Sequence, residues 1–556
     1  MIGKRLFIGF ILFIISLLLC LDLFLSKGRP STFDGPSHLA NIAQFTKALQ
    51  SGDFPVRWMD GFGNYGMPMA IIIQQTTSYL GAIITLFTHD IFISYNIVVL
   101  IGAFFSTYLL YCFFTLHFSE EAALLGATLF NFAPYRIINI YVRGALPEFF
   151  SHVFFPVVFI GLYLFIKKRS MKGLIYLFIG FVGILLTHPF TFIIGMFIWV
   201  PYAVYLVWES GSASFIRDNI LYLLLTLLLI IGISAFYIIP LYLEIKYFYY
   251  GTGSHFIAGN FLTLKNYLGD QWYYFYQNDI EVRGHVIHLG LIESLVIAAG
   301  MISLFFSKKG KGKFLYWIVP SLLVLVFFTT HYADFIFKKI NLLGNIQHNW
   351  RMFTSIVFIA PLILAYLLNK VKSKTLLYLI FFVIIIFRFP QLYGKNYLLE
   401  KQDTYYWTKL NLAGNIMNTV WTGPTQDYPV KKVKGEIIAG KGKILKRNER
   451  NSWREYEIKA DTDLRLVDYT FYFPGWKVFV DKKEVPIEFQ DINYRGVITY
   501  KIPKGNHTVL VKFTDTKIRL LANLISLFSI GALGVYFVIL RRRAPNILST
   551  TRFGPQ

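Results

Sequence analysis

Runs of about 20 apolar residues recur along this chain, and they restrict its fold more than any other feature. Leu221–Pro240 and Leu520–Leu540 are far too long for strands and must be helices. Hydrophobic residues make up 55% of the 556 positions and charged residues 15%, so a soluble α/β enzyme is excluded and a polytopic helical membrane protein is expected. The net charge of +23 does not point to nucleic acid. Its basic residues fall in short clusters beside the apolar runs, the pattern that orients a protein in a membrane, so no nucleic-acid partner is expected.

Two cysteines, Cys20 and Cys112, lie inside expected spans and make neither a disulfide framework nor a metal site. Lys4-Arg5 before Leu6–Leu25 has the charge order of a signal peptide. The apolar stretch is long, however, and Ser26-Lys27-Gly28 offers no small-x-small cleavage site, so it reads as an uncleaved first helix.

Five basic clusters set the orientation: Lys4-Arg5; Lys167-Lys168-Arg169 with Lys172; Lys308-Lys309 with Lys311 and Lys313; Lys370, Lys372 and Lys374; and Arg541-Arg542-Arg543. If all are cytoplasmic, an even number of spans separates neighbouring clusters. Twelve spans satisfy this, near 6–25, 93–116, 121–136, 149–166, 172–188, 190–208, 219–240, 287–306, 314–330, 352–369, 375–389 and 519–540. Met69–Phe87 carries Pro68 just before it and Gln74-Gln75-Thr76-Thr77-Ser78 within it, so it reads as a juxtamembrane or re-entrant helix. Both termini are then cytoplasmic in a multi-pass plasma-membrane protein. The exterior segments are 26–92, 137–148, 241–286, 331–350 and 390–518.

Residues 390–518 change character. Short alternating runs appear at Glu455–Lys459, Leu466–Phe473, Trp476–Val480, Gly496–Ile502 and Thr508–Phe513, with turns at Pro474-Gly475, Asp481-Lys482 and Pro503-Lys504-Gly505-Asn506. Such spacing reads as a β-sandwich. The expected organisation is a transmembrane unit at 1–389 with the exterior loop 26–92, an exterior β-sandwich at 390–518, a last helix at 519–540 and a cytoplasmic tail at 541–556.

The motifs that carry chemistry are few. Gly61-Phe62-Gly63-Asn64-Tyr65-Gly66 matches G-x-G-x-x-G, but no strand precedes it and Pro68 follows, so it reads as a packed exterior loop. Asp461-Thr462-Asp463 reads as a turn between strands. What remains is polar residues at the outer boundary. Asp34 and His38 lie four residues apart at a helix start, where Asp34 also suits an N-cap. Arg136, Arg143 and Glu148 flank apolar spans on the non-basic side, which favours anion binding, with an Arg143–Glu148 ion pair as the plain alternative. Gln347-His348-Asn349-Trp350-Arg351 places an arginine and an aromatic ring at the outer end of a span, as a headgroup anchor or a phosphate ligand. His188-Pro189 breaks an apolar stretch at an outer turn, and its role is open between structure and function. The 241–286 loop is rich in aromatic rings, at Tyr242–Tyr250 and Trp272–Tyr276, which suit sugars, prenyl chains and interfaces alike.

At these residues the chain resembles a known group. An acidic residue in the first exterior loop, Gly52-Asp53-Phe54-Pro55, and Gly63-x-x-Gly66-x-Pro68 before a juxtamembrane helix resemble the GT-C superfamily of membrane glycosyltransferases. Pro134-Tyr135-Arg136, Tyr141-Val142-Arg143-Gly144-Ala145-Leu146-Pro147-Glu148, Leu186-Thr187-His188-Pro189 and Gln347-x-x-Trp350-Arg351 resemble the 6-pyruvoyl-tetrahydropterin-synthase-related membrane proteins. Phe473-Pro474-Gly475-Trp476-Lys477-Val478 with Pro503-Lys504-Gly505-x-His507 resembles the exterior domain of YfhO-like proteins.

The resemblance implies transfer of a sugar from a polyprenyl-phosphate donor to a lipid or glycan acceptor of the envelope, on the outer face and among membrane lipids. Asp34 is then the general base. Arg143 and Arg351 hold phosphate, with Arg136 a secondary candidate; Glu148 orients an arginine, and His38, His188, Trp350 and Gln347 complete the set. No cofactor is expected. GT-C enzymes often pair acids in this loop, whereas Gly35 follows Asp34, which argues against a metal there and leaves a divalent cation open. The alternatives are a transporter or flippase for envelope glycans or lipids, and a non-catalytic envelope assembly protein. Twelve spans suit the transporter, but internal repeats and mid-membrane polar residues do not appear.

Overall fold

The computed structural model describes residues 2–62, 65–249, 261–269, 287–306, 312–394, 397, 418–423 and 427–543. Gly63 and Asn64, Trp272–Tyr276, Lys308, Lys309, Lys311 and the tail from residue 544 lie outside the described residues.

The chain is mostly helical. It opens with α1 (Ile2–Leu25), α2 (Gly35–Gln50), α3 (Gln75–Thr88), α4 (Ile91–Phe114), α5 (Glu120–Asn131), α6 (Pro134–Tyr141), α7 (Leu146–Ser151) and α8 (Phe154–Leu162). α9 (Lys172–Thr187), α10 (Pro189–Ser210), α11 (Ala213–Asp218) and α12 (Ile220–Glu244) follow, then helices at Leu291–Phe306, Ile318–Thr329, Phe353–Leu368, Lys374–Arg388 and Lys517–Arg543. Caps follow from residue chemistry: Asp90 starts α4 by accepting the amides of Phe92 and Ile93 at 2.8 and 3.0 Å.

Among the described residues, eight helices are long and apolar enough to cross a membrane, or nine if a pair bent by 83° at residue 330 counts as one. They mark a membrane-embedded protein and coincide with eight of the twelve expected spans. The other four are shorter for visible reasons. The 121–136 run is divided because α5 stops at Asn131 and Pro134 starts α6 afresh. α9 ends after 16 residues at His188-Pro189, the Leu291–Phe306 helix also has 16, and the 314–330 run yields a 12-residue helix before the bend. The Met69–Phe87 stretch becomes a 3₁₀ turn at Met69–Ile71 and then α3.

Three polar side chains tie the first helix down, as hydrocarbon surroundings favour. Asn131 Nδ2 donates to Ile15 O at 3.0 Å, Asn96 Nδ2 to Leu23 O at 2.7 Å, and the Tyr141 hydroxyl to Leu19 O at 2.8 Å. All three hold α1 against its neighbours. Every residue of α6 and α7 is buried, so this short helical hairpin is a plug inside the bundle rather than a surface loop.

The C-terminal region forms two antiparallel sheets. The strands are β1 (Gly435–Ala439), β2 (Gly442–Glu449), β3 (Trp453–Ala460), β4 (Leu464–Phe471), β5 (Trp476–Val480), β6 (Lys483–Val485), β7 (Val497–Ile502) and β8 (Gly505–Phe513). One sheet has the order β1-β4-β7 and the other β2-β3-β8-β5-β6. β3 alternates buried Arg454, Tyr456 and Ile458 with exposed Glu455, Glu457 and Lys459, the mark of one covered face. The Tyr456 hydroxyl donates to Asp468 Oδ2 on β4 at 2.8 Å, joining the two sheets through their buried faces.

The first loop is built into this unit. Asp60 receives the Arg454 guanidinium, Lys434 Nζ at 3.1 Å and Lys47 Nζ at 3.4 Å. Burial would raise the Asp60 carboxyl, but Lys434, Arg454 and Lys47 outweigh it and hold it well below the usual carboxylate range. Asn451 Nδ2 donates to Asp53 Oδ2 at 2.7 Å, and Trp58 meets Trp476 edge to face at 4.9 Å. A second tie runs through the last helix: Arg519 donates to Glu244 Oε2 at the end of α12 (2.9 Å) and to Pro474 O (2.7 Å).

Candidate functional site

The buried hairpin α6–α7 carries the core of the site. Tyr135, Asn139 and Arg143 follow at four-residue intervals, so they share one side of the α6 segment and its continuation. Glu148, in the first turn of α7, faces them. Its carboxylate accepts the Tyr135 hydroxyl, Thr354 Oγ1 at 2.6 Å and Arg143 Nη1 at 2.9 Å, with Arg351 Nε at 3.9 Å. Arg143 Nη1 also donates to Asn139 Oδ1 at 2.6 Å, and its guanidinium lies 4.3 Å from the Trp350 ring centre. Trp350 in turn stacks on His348 at 4.7 Å.

Arg351 and Trp350 arrive on a 3₁₀ turn, Asn349–Met352, which opens the Phe353–Leu368 helix. Gln347 sits just before it with φ +69°, and Arg351 Nη1 donates to Ile346 O at 2.9 Å, which folds this turn onto itself. Two guanidinium groups thus share one carboxylate in a nearly water-free setting. The surplus positive charge has to be met from elsewhere.

Asp34 is placed there by backbone, not by side chains. Phe33 N donates to Val142 O at 3.2 Å and Asp34 N to Arg143 O at 2.7 Å, a two-rung ladder between the first loop and the hairpin. Gly144 makes the crossing possible. At φ +66°, a Cβ there would lie 2.6 Å from Gly35 N and 2.9 Å from Gly35 Cα. Asp34 occupies the N-cap position of α2, yet its carboxylate makes no capping hydrogen bond. The N-cap reading therefore gives its position and fails for its chemistry. The half-exposed carboxylate has no hydrogen-bond partner among the described residues, although it faces the fields of Arg143 and Arg351.

The other residues divide. His38 lies one turn along α2, its amide on Asp34 O at 3.1 Å. Burial holds its imidazole down at about 4, while Asp34 pulls it up and Arg143 pushes it down. His188 is second in line: its Nδ1 meets Thr191 Oγ1 at 2.6 Å, and Thr191 accepts Ser151 Oγ at 3.3 Å from the turn after Glu148.

Arg136 does not join the cluster. Its partners are others, with Nη2 donating to Ser106 Oγ at 2.9 Å and Nη1 meeting His152 Nδ1 at 3.1 Å. It lies fully buried between the Phe130 and Phe149 rings, at 4.1 and 4.6 Å, where a phosphate has no approach. As a phosphate ligand it is corrected to a packing residue.

Tyr135, Asn139 and Thr354 were not singled out from the sequence. The four-residue spacing ending on Arg143 was a usable signal for the first two. Thr354, three residues after Arg351, carried none. Among the described residues no group of three or more His, Cys, Asp or Glu is arranged to hold a metal ion. The Glu148 carboxylate is taken up by the Tyr135 and Thr354 hydroxyls and Arg143.

Fold and site together define a membrane-embedded helical protein with a buried arginine–glutamate cluster beside a carboxylate that has no hydrogen-bond partner among the described residues. The chain is similar over residues 78–343 to DUF6541, a family of unknown function. That stretch takes in Arg143, Glu148 and His188 and leaves Asp34, Trp350 and Arg351 outside it. No curated protein matches the chain.

Proposed function

We propose that this protein is a membrane glycosyltransferase, moving a sugar from a polyprenyl-phosphate donor to a lipid or glycan acceptor on the outer face of the plasma membrane. In this reading both termini are cytoplasmic, twelve segments cross or enter the membrane, four of them short, and 390–518 is an exterior β-sandwich. The observation that carries the proposal is Asp34: a carboxylate free of hydrogen bonds, pinned through its backbone beside two arginines that share one counter-ion.

Such an arrangement supplies what the reaction needs. Asp34 takes the proton of the acceptor hydroxyl as its oxygen bonds to the anomeric carbon. The bond from that carbon to the phosphate oxygen breaks, and polyprenyl phosphate leaves with the electron pair. Arg143 and Arg351 hold the departing phosphate, their positive surplus preset for it. Glu148 keeps Arg143 in place without neutralising both cations. His38, neutral at ordinary pH, and Trp350 line the space, while Gln347 and His188 support the turns that carry it.

The test is sugar transfer in isolated membranes supplied with lipid-linked sugar. Asp34→Asn is expected to abolish transfer while leaving the protein in the membrane at normal yield. Intact transfer by that variant would sink the mechanism.

A further inference from the structure

The longest stretch rich in positive charge is not beside an apolar span but on the sheets. Residues 431–450 contain eight cations, Lys431, Lys432, Lys434, Lys441, Lys443, Lys446, Arg447 and Arg450, against two acids, Glu436 and Glu449. This segment forms β1 and β2, and the topology makes each an edge strand, one of each sheet. One side of the C-terminal region is therefore a continuous basic margin. Lys432, Lys441, Lys443, Lys446, Arg447 and Arg450 are all exposed on it.

Edge strands commonly carry a lysine or two to prevent pairing with other chains. Two observations exceed that need. The opposite margin, residues 481–491, has four acids, Asp481, Glu484, Glu488 and Asp491, and only two lysines, so edge protection in this protein does not require a basic sign. Lys443 also stands directly across from Lys459 in the β2–β3 register, a like-charge pairing that weakens the sheet. Lys432, Lys441 and Lys443 have no acidic partner among the described residues, and the exposed Lys446–Glu457 contact at 3.4 Å contributes little.

The direction of the margin selects the partner. Its Arg450 end adjoins Asn451, which is bonded to the first loop at Asp53, Trp58 and Asp60. That loop reaches the helices, where Arg57 donates to Phe236 O of α12 at 2.8 Å. Its Lys441 end is at the far tip of the β2–β3 ladder, where Gly442 pairs with Ala460. Eight strand residues extend about 26 Å, so the exposed cations form a row long enough to meet several successive charges. A linear chain of charges matches that row in length and in sign.

We propose that the β1–β2 margin binds a linear polyanion carrying phosphate along its length. The inference goes beyond the transfer reaction and does not depend on it. It is tested with the full-length protein in nanodiscs of neutral phosphatidylcholine, using labelled long-chain inorganic polyphosphate as the probe. Binding is expected to weaken steeply with added salt, and the quadruple variant Lys441→Gln, Lys443→Gln, Arg447→Gln, Arg450→Gln to bind about tenfold or more weakly, since several phosphate contacts go together. Lys482→Gln with Lys483→Gln on the opposite margin should leave binding unchanged, and Asp34→Asn should bind like the parent even where transfer is lost. Equal binding by parent and quadruple variant, both unfolding at the same temperature, would overturn the proposal. So would failure to bind polyphosphate while vesicles of phosphatidylglycerol are captured, an outcome that assigns the margin to the bilayer.

Discussion

Two buried glutamates near helix ends in the bundle are treated differently. Glu293 takes Arg388 Nη2 at 2.5 Å, both side chains fully buried, and Arg388 Nη1 also reaches Gln391 Oε1 at 3.4 Å. Glu148 is equally buried but serves two arginines, and the second acid nearby, Asp34, is held at a distance and half exposed. The closed pair, Glu293 with Arg388, has both charged groups wholly out of water and joins the Leu291–Phe306 and Lys374–Arg388 helices. The Glu148 cluster sets two cations on one acid, with Asp34 as a further acid in their field.

That contrast can be broken at several points. The largest effect should fall on Asp34→Asn, with transfer reduced about 10²–10⁴-fold as expected for loss of a general base, and with thermal unfolding unchanged. A comparable energy should appear as stability at the closed pair. Arg388→Ala leaves Glu293 buried without its cation and should cost about 3–5 kcal/mol, measured by thermal unfolding in detergent, whereas the double replacement Glu293→Leu, Arg388→Met should recover most of it. Arg351→Ala should behave oppositely, lowering donor affinity about ten- to a hundredfold through a lost charged hydrogen bond while unfolding moves little, because Arg143 still pairs with Glu148. If Arg351→Ala destabilises as much as Arg388→Ala with donor affinity intact, the two clusters are alike and the comparison fails.

The smallest effect concerns the contact between the first loop and the sheets at Asp60. Its carboxyl is depressed by its cations, so its contribution is fully present above the unfolded value and is lost as pH falls through the folded one. Tryptophan fluorescence at the Trp58–Trp476 contact should therefore change only below about pH 4, and Asp60→Asn should remove that acid dependence. A transition centred near neutrality would point to another group.

Much of the fold was legible because bilayer and sheet impose strong periods. The long apolar runs and the β5 limits, Trp476–Val480, stand where the sequence places them. β1 and β2 were missed because β2 is an almost wholly exposed edge strand, with no apolar alternation to betray it. The span limit at 330 coincides with the bend there, whereas the interruption at Asn131 was missed because hydropathy does not see a helix end inside an apolar run. At the site, Arg143, Glu148, Trp350 and Arg351 were readable as charges and rings out of place at a membrane boundary. Arg136 looked the same in sequence; what separates the two is that α6 ends at Tyr141, which leaves Arg136 inside the helix and puts Arg143 on the turn beyond it. The pairing of Asp34 with Arg143 was not readable, since it is made by amides and carbonyls that every residue has.

The two-rung ladder also sets an order of assembly. Residue 34 cannot find its partner until residue 143 has been synthesised, about 5–20 s later at typical ribosomal speeds. Through that interval α1 waits in the bilayer with its loop unmatched, and what closes the register afterwards is chain length. A one-residue insertion between α1 and Asp34 would keep every side chain and slide the carboxylate off its rung, so this site is guarded less against substitution than against a change in count.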